Sequence, residues 1–171
     1  MKRIGFGQVE PNHLSAQRNG QIYGQLPVDV DTVGTVLENG RFVKYDYAAG
    51  KVNLNATDGE WMLVLNEVKL YDDAWRESYK DFAMMPDNRG EMFPRLFKTN
   101  VGDIYTTNCL VSVGSKGAEV NMGEIAVGDK LSPNAQGYLV KEGGDATMVW
   151  SVAKVYTMPD GQEGVKLQRI K

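Results

Sequence analysis

The last part of the chain decides the fold. Residues 149–158 read VWSVAKVYTM, residues 159–164 read PDGQEG, and residues 165–170 read VKLQRI. The first run predicts a long strand, and the Pro-Asp-Gly segment predicts a reversal. The final run predicts a returning strand with Val165, Leu167 and Arg169 on one face. A hairpin of this length is typical of an antiparallel β protein.

Upstream of this hairpin the chain carries further strand signals. Residues 28–33 alternate between apolar and polar side chains and predict a strand. Asn39-Gly40 lies between residues 35–38 and 41–44 and predicts a two-residue hairpin turn. The run WMLVL at 61–65 predicts a strand that is buried on both faces. The 19 glycines sit mostly where strands would reverse, so the chain is predicted to be mainly β.

One segment favours a helix instead. In residues 72–85, Trp75, Tyr79 and Phe82 recur at i, i+4 and i+7, and Pro86 follows. We therefore expect one inserted helix within an insertion near residues 66–98. The aromatic stripe of this helix is interpreted as facing the core, with packing on a neighbouring subunit as the alternative.

Residues 1–27 differ in composition from the rest of the chain. Three basic residues stand against one acidic residue, which gives this segment a charge of +2 and leaves −5 on residues 28–171. Its apolar residues are too sparse to form a core of their own. We interpret residues 1–27 as an extended N-terminal arm that orders against a partner, and residues 28–171 as the β-rich domain. The alternative is a terminus without fixed structure.

The arm carries isolated apolar and basic side chains that could contact a partner over a long footprint. We predict that these side chains are buried on the partner and not on their own domain. The predicted partner-binding residues are Phe6, His13, Leu14, Arg18, Ile22 and Tyr23.

A short internal similarity links two segments of the second half. Residues 101–108 read VGDIYTTN and residues 127–134 read VGDKLSPN, with four of eight positions identical. Residues 33–39, VGTVLEN, form a looser third copy. The hypothesis is one design, a Gly-Asp turn leading into a short strand, used repeatedly in one sheet system. The alternative is convergence on common turn chemistry.

The residues that carry most enzyme chemistry are scarce. His13 is the single histidine and Cys109 the single cysteine, so a multi-histidine or multi-cysteine metal site is excluded. No Walker A, Gly-x-Gly-x-x-Gly or Gly-x-Ser-x-Gly motif occurs. Cys109 is interpreted as a small buried hydrophobe. Carboxylates are numerous, so two acidic pairs stay open as candidates for a glycosidase site, Asp72/Asp73 and Asp29/Asp31. Asp72/Asp73 is interpreted as capping the helix and Asp29/Asp31 as an exposed strand face. Asp29 and Asp31 could also bind calcium, although the spacing and the glutamate of an EF-hand are missing. We predict no catalytic residue, no metal and no cofactor.

Charge and hydropathy limit the classes of partner that this chain is expected to bind. The formal net charge is −3, and no basic run marks a nucleic-acid surface. The longest apolar run is five residues, at 61–65, whereas a bilayer span needs roughly 20. A binding or structural role, without nucleic acid or membrane, is the interpretation that is left.

Three segments carry a family resemblance. Residues 127–131 read VGDKL and residues 137–141 read GYLVK, which resembles the VGD-x-L…G-x-L hairpins of head decoration proteins of tailed phages. The closing run at 150–157 with its returning strand, and the stretch GTVLENG at 34–40, are similar to other hairpins of these proteins. The resemblance covers about residues 28–56 and 99–171, and the insertion near 66–98 departs from it.

This resemblance implies a β-barrel or β-tulip-like domain on the outer surface of a capsid. It also implies binding to the major capsid protein and self-association around a symmetry axis, after assembly in the host cytoplasm. It brings no catalytic residue. The function expected is a non-enzymatic virion protein that stabilises the shell. The alternative is a β-sandwich module of a fibre or tail that binds a carbohydrate or a receptor, and such a module should show an exposed aromatic platform near carboxylates or amides.

Overall fold

The structure is a computed structural model, and it describes Gly7, Val9 and residues 26–66, 83–110, 124–159 and 161–171. These ranges contain one short α-helix and eleven strands. In chain order the elements are α1 (Val30–Val33), β1 (Leu37–Glu38), β2 (Phe42–Asp46), β3 (Lys51–Asn53), β4 (Trp61–Val64), β5 (Ala83–Met84), β6 (Leu96–Phe97), β7 (Ile104–Thr107), β8 (Lys130–Pro133), β9 (Leu139–Val140), β10 (Trp150–Thr157) and β11 (Glu163–Arg169).

The closing hairpin lies at the centre of a five-stranded antiparallel sheet. Its strand order is β7-β11-β10-β8-β9. β10 and β11 pair from Trp150↔Arg169 to Thr157↔Glu163, with a bulge between Val152 and Lys154. The predicted hairpin is therefore confirmed. Val165, Leu167 and Arg169 are all buried, because alternate side chains of β11 point to the same face.

A four-stranded antiparallel sheet is built from the first half of the chain, in the order β3-β2-β4-β6. Every residue of β4 is buried, which confirms the strand predicted at 61–65. β2 and β3 are joined by the turn 47–50, where Gly50 adopts a φ of 63° that other residues rarely reach.

The two sheets pack on each other through an aromatic cluster. Phe42 of β2 lies with its ring centroid 6.4 Å from that of Tyr105 on β7 and 6.0 Å from that of Trp150 on β10. Tyr105 and Trp150 meet edge to face at 4.8 Å. Each such pair adds about 0.5–1.5 kcal/mol beyond the area it buries. The prediction of a mainly β domain is confirmed, and it is of the sandwich type, since the described strands form separate sheets and no closed barrel.

The turn at Asn39-Gly40 is present, but the hairpin predicted around it is wrong. β1 pairs with β5 (Leu37↔Met84), whereas β2 pairs with β3 and β4. The N–H of Gly40 donates to the carbonyl of Val64, and the buried Arg41 side chain donates to the carbonyls of Val33, Val36 and Gln136. The bonds to Val64 and Gln136 join the turn to distant parts of the chain, and the strands on its two sides belong to different sheets.

The strand predicted at 28–33 is also wrong in its second half. Val30–Val33 form one helical turn, in which the N–H of Val33 donates to the carbonyl of Asp29 at 2.9 Å. Val30 and Val33 are three residues apart, so both reach the core from one side of the turn. Val28 keeps an extended conformation and bridges Val52 in parallel.

The helix predicted at 72–85 is wrong at residues 83–84. Ala83–Met84 form β5, a strand that pairs with β1. Leu96–Phe97 form β6, which pairs with β4, so the described part of the predicted insertion contains strands and belongs to the sheets. The rest of that helix prediction, residues 72–82, lies outside the described residues.

The N-terminal segment contacts the domain at two described places. Val9 is buried and forms an antiparallel bridge with Thr107 of β7. Leu26 packs against the core, and the carbonyl of Pro27 accepts a hydrogen bond from the N–H of Val52. For Val9 the expectation of burial on a partner is therefore not met, because the open edge of β7 offers unpaired backbone groups that this residue satisfies.

The two VGD copies form the same turn. The N–H of Asp103 donates to the carbonyl of Asn100, and the N–H of Asp129 donates to that of Ala126. Gly102 and Gly128 hold φ values of 97° and 92°, as the third position of a type II turn requires. The looser copy at 33–39 is different, since its glycine ends α1.

Candidate functional site

A groove lies beside the β2–β3 hairpin and the loop 55–60. Its volume is about 660 Å³, within the range of small-molecule sites. We call it the tyrosine groove. Its lining residues are Tyr45, Asp46, Tyr47, Ala48, Ala56, Thr57, Asp58, Gly59, Glu60, Met62 and Lys98.

Two tyrosines form one wall of the tyrosine groove. Tyr45 and Tyr47 are two residues apart, so their side chains point to the same side at the end of β2. Their rings stack with centroids 5.5 Å apart and planes inclined by 19°. Tyr45 is buried at 7% exposure, whereas Tyr47 is 76% exposed. The stacked pair is therefore a fixed platform whose outer ring faces solvent.

Asp46 holds this platform in place. One carboxylate oxygen accepts the N–H of Ala49 at 2.9 Å, and the other accepts the amide of Asn53 at 3.0 Å. The hydrogen bond from the Ala49 backbone, followed by that from Asn53, lowers the pKa of Asp46 below its ordinary value of 3.8. Asp46 is therefore ionised at neutral pH, and its carboxylate fixes the turn that carries Tyr47.

The opposite wall is the loop 55–60. The side-chain oxygen of Asn53 accepts the N–H groups of Asn55 and Ala56, which fixes the start of this loop. Gly59 lies so close to β2 that an added Cβ would be 2.8 Å from the carbonyl oxygen of Tyr45. A glycine at this position therefore lets the loop close the floor of the groove.

Among the carboxylates that line the tyrosine groove, Glu60 is the one that the described ion pairs compensate. Glu60 forms an ion pair with Lys98 at 2.9 Å through one oxygen and with Arg169 at 3.3 Å through the other. Arg169 also donates to the backbone carbonyl of Thr99. The carboxylates of Asp46 and Glu60 thus have partners at each oxygen, and they retain lone pairs for further hydrogen bonds.

A smaller recess of about 440 Å³ shares the loop 57–60 with the tyrosine groove. In it the Lys44 ammonium lies 4.5 Å from the centroid of the Trp61 ring and 3.8 Å from a carboxylate oxygen of Asp145. The indole N–H of Trp61 donates to the same carboxylate at 2.9 Å. Burial raises the pKa of Asp145, but the hydrogen bonds from Thr147 and Trp61 outweigh it, and the pKa falls below 3.8. This cluster satisfies its own charges and joins the two sheets.

Asp46 and Asp145 do not have the pKa shift that a general acid needs. A glycosidase needs a carboxyl group whose pKa is raised, and the pKa values of Asp46 and Asp145 are lowered. Cys109 is fully buried, which confirms its interpretation, and its thiol lies 3.8 Å from a carboxylate oxygen of Glu38. Among the described residues, no group of three or more His, Cys, Asp or Glu could hold a metal ion.

The two acidic pairs that the sequence left open have different positions. Asp29 forms an ion pair with Lys51 at 3.5 Å, and Asp31 is exposed in the first turn of α1. The pair Asp72/Asp73 lies outside the described residues.

All six predicted partner-binding residues lie outside the described residues, so their role stays a prediction. They are Phe6, His13, Leu14, Arg18, Ile22 and Tyr23. The tyrosine groove was not assigned from the sequence, although the pattern Tyr45-Asp46-Tyr47 before a turn is a local signal for a surface platform. The opposite wall carries no such signal, because the loop 55–60 approaches β2 through tertiary contacts.

No protein family, curated protein or solved structure was found to match this chain. Within the described part of the chain, no helix has the length and apolar character that a membrane span requires.

Proposed function

We propose that this chain is a non-enzymatic virion protein that decorates a phage capsid and stabilises it by binding the major capsid protein. The observation that carries the proposal is the repeated VGD turn, since this motif also carries the resemblance to head decoration proteins. The strands that follow the two copies of this turn pair with the central hairpin on its two sides. Each copy also has a valine, Val101 or Val127, that is 67% exposed.

Backbone hydrogen bonds fix each turn to the central hairpin, so the exposed residues of the turn have a defined position. The N–H of Gly102 donates to the carbonyl of Arg169, and the N–H of Arg169 donates to the carbonyl of Asp103. In the second copy, the N–H of Gly128 donates to the carbonyl of Val152, and the N–H of Val152 donates to the carbonyl of Asp129. A small β body with fixed edges fits a protein that covers other subunits. Under this proposal the chain lies on the capsid surface after assembly in the host cytoplasm, and copies associate around a symmetry axis.

The arm is the proposed anchor, and its predicted apolar contact residues are the ones to change. The variant replaces Phe6, Leu14, Ile22 and Tyr23 by Ser and keeps Val9, which packs on β7. We expect an unchanged melting temperature and strongly reduced co-sedimentation with shells assembled from the major capsid protein of the same phage. Undiminished shell binding by this variant would contradict the anchor.

The matched control is Val9→Ala. Val9 is buried in the domain, so this change should lower the free energy of unfolding by about 1–2 kcal/mol. Shell binding measured well below its melting temperature should stay at the level of the unmodified protein. A loss of shell binding in this variant would place the contact surface at β7 instead of on the arm.

A second candidate function is a carbohydrate- or receptor-binding module of a fibre or tail. The stacked pair of Tyr45 and Tyr47 beside Asp46 and Asn53 favours it, because an exposed aromatic platform near carboxylates and amides is what such a module needs. A fibre or tail protein would bind host cells and would not co-sediment with shells that lack a tail.

A further inference from the structure

The tyrosine groove has the form of a site that binds a flat apolar face. Tyr47 is exposed, and Tyr45 covers one face of its ring, which leaves the other face open. The ring face carries partial negative charge and attracts the polarised C–H groups of a ligand that lies flat on it. Because Tyr45 is itself held by the core, the platform does not have to be ordered when a ligand arrives.

The carboxylates around the platform are held in place and can accept further hydrogen bonds. Each oxygen of Asp46 has one donor already, and each oxygen of Glu60 has a cationic partner. A carboxylate has about four acceptor sites, so both groups can take additional hydroxyl donors. In the described ion pairs only Glu60 is paired with cations, so Asp46 and Asp58 leave the groove with a negative charge that disfavours an acidic sugar.

A polyhydroxylated ring offers both a flat C–H face for the tyrosine platform and hydroxyl donors for the carboxylates. One face of a pyranose carries C–H groups for the Tyr47 ring, and its edge carries hydroxyl groups that donate to Asp46 and Glu60. Lys98 lines the same groove and can donate to a ring or hydroxyl oxygen. We propose that the tyrosine groove binds an uncharged sugar residue, with Tyr47 as its stacking platform. This inference rests on the second candidate function and names its ligand class.

The test is a microarray of uncharged microbial and host glycans, with hexalysine as the cationic comparison. A glycan that binds is then titrated by calorimetry against the full-length protein and its variants. Tyr47→Ala should weaken binding by about tenfold or more, and Tyr47→Phe should stay within about threefold, because the phenyl ring keeps the stacking surface. Phe93→Ala removes another exposed aromatic ring, outside the groove lining, and should leave binding unchanged.

Folding does not obscure this test, since Tyr47 is mostly exposed and its removal should not change the melting temperature. The proposal is overturned if no uncharged glycan binds, if binding is indifferent to Tyr47→Ala, or if hexalysine binds at Tyr47 instead. Shell co-sedimentation of Tyr47→Ala separates the two functions. Retained shell binding together with lost glycan binding shows that the groove and the capsid proposal are independent.

Discussion

The two VGD segments, 101–107 and 127–133, form matching turns but stand in different surroundings. Each turn is closed by its aspartate, which accepts the N–H of the residue three positions earlier, Asn100 or Ala126. Each then enters a strand that pairs with one strand of the central hairpin. The arrangement is a pseudo-two-fold one, with β7 on β11 and β8 on β10.

The correspondence extends to the outer edges of both strands. Pro133 of β8 pairs with Leu139 of β9, and Thr107, at the equivalent position of β7, is bridged by Val9. Leu139 and Val9 are both buried. The N-terminal segment thus takes, next to β7, the place that β9 takes next to β8. Local sequence decides the turn, whereas the position in the sheet decides what covers its edge.

The interior positions show how the same turn serves different packing. Tyr105 and Leu131 are equivalent and fully buried, and their cross-strand partners are Leu167 and Trp150. A large residue on one strand therefore faces a smaller one on its partner in both halves. This exchange allows Tyr105 and Trp150 to meet edge to face at the centre of the core.

The largest expected effect on stability comes from truncating the buried side chains at these two equivalent positions. Tyr105→Ala should lower the free energy of unfolding by about 3–5 kcal/mol and Leu131→Ala by about 2–5 kcal/mol, because each leaves a cavity in the core. Urea unfolding followed by tryptophan fluorescence measures both. Val101→Ala and Val127→Ala, at exposed positions, are the controls and should change the free energy of unfolding little. A cost below about 1 kcal/mol at either buried position would break the equivalence.

The next effect concerns the turns themselves. Gly102→Ala and Gly128→Ala should each cost about 1–2 kcal/mol, because both glycines have positive φ and an added Cβ meets no atom within 4 Å at either one. The cost is therefore conformational, and it should agree between the two variants within about 0.5 kcal/mol. Thermal and urea unfolding measure it, and unequal costs would show that the turns are under different constraint.

A smaller effect concerns Asp129, the aspartate of the second VGD turn. Lys141 lies 2.8 Å from the Asp129 carboxylate, and its hydrogen bond, with that from Ala126, lowers the pKa of Asp129 below 3.8. A lowered pKa in the folded state contributes stability above the ordinary pKa, and this contribution is lost as pH falls through the folded value. The free energy of unfolding should therefore fall with acid below about pH 4.

Measuring unfolding from about pH 6 to about pH 2.5 tests this dependence. Asp129→Asn removes the titrating group, so its profile should be flatter than that of the unmodified protein. Lys141→Met keeps the backbone hydrogen bond and should give an intermediate profile. An Asp129→Asn profile as steep as that of the unmodified protein would assign the acid sensitivity to other carboxylates.

The smallest effect tests whether Tyr105 acts as an apolar residue like Leu131. Its hydroxyl is buried and has no hydrogen-bond partner among the described residues, and burial raises its pKa well above 10.0. Tyr105→Phe should therefore change the free energy of unfolding by less than about 1 kcal/mol, or increase it. A loss of more than about 2 kcal/mol would reveal a partner for the hydroxyl group.

Much of the fold could be predicted from short segments. The closing hairpin, the buried strand β4 and the two VGD turns depend on periodicity and turn residues that lie within about ten positions of each other. Only the tyrosine wall of the tyrosine groove could be predicted from the sequence. Tyr45 and Tyr47 stand next to a turn in the sequence, but the Glu60 that completes the groove is placed by Lys98 and Arg169.

The sequence by itself determined the mainly β class, the turns and the scarcity of catalytic side chains, because backbone preferences and composition are local properties. The tertiary structure decided the strand pairs outside the closing hairpin, and there the local signals failed. Asn39-Gly40 made a turn without a hairpin, Val9 joined β7, and Ala83–Met84 became a strand beside β1. Each of these outcomes satisfies backbone groups or buries apolar surface far away along the chain. Such partners exist only once the sheets have assembled.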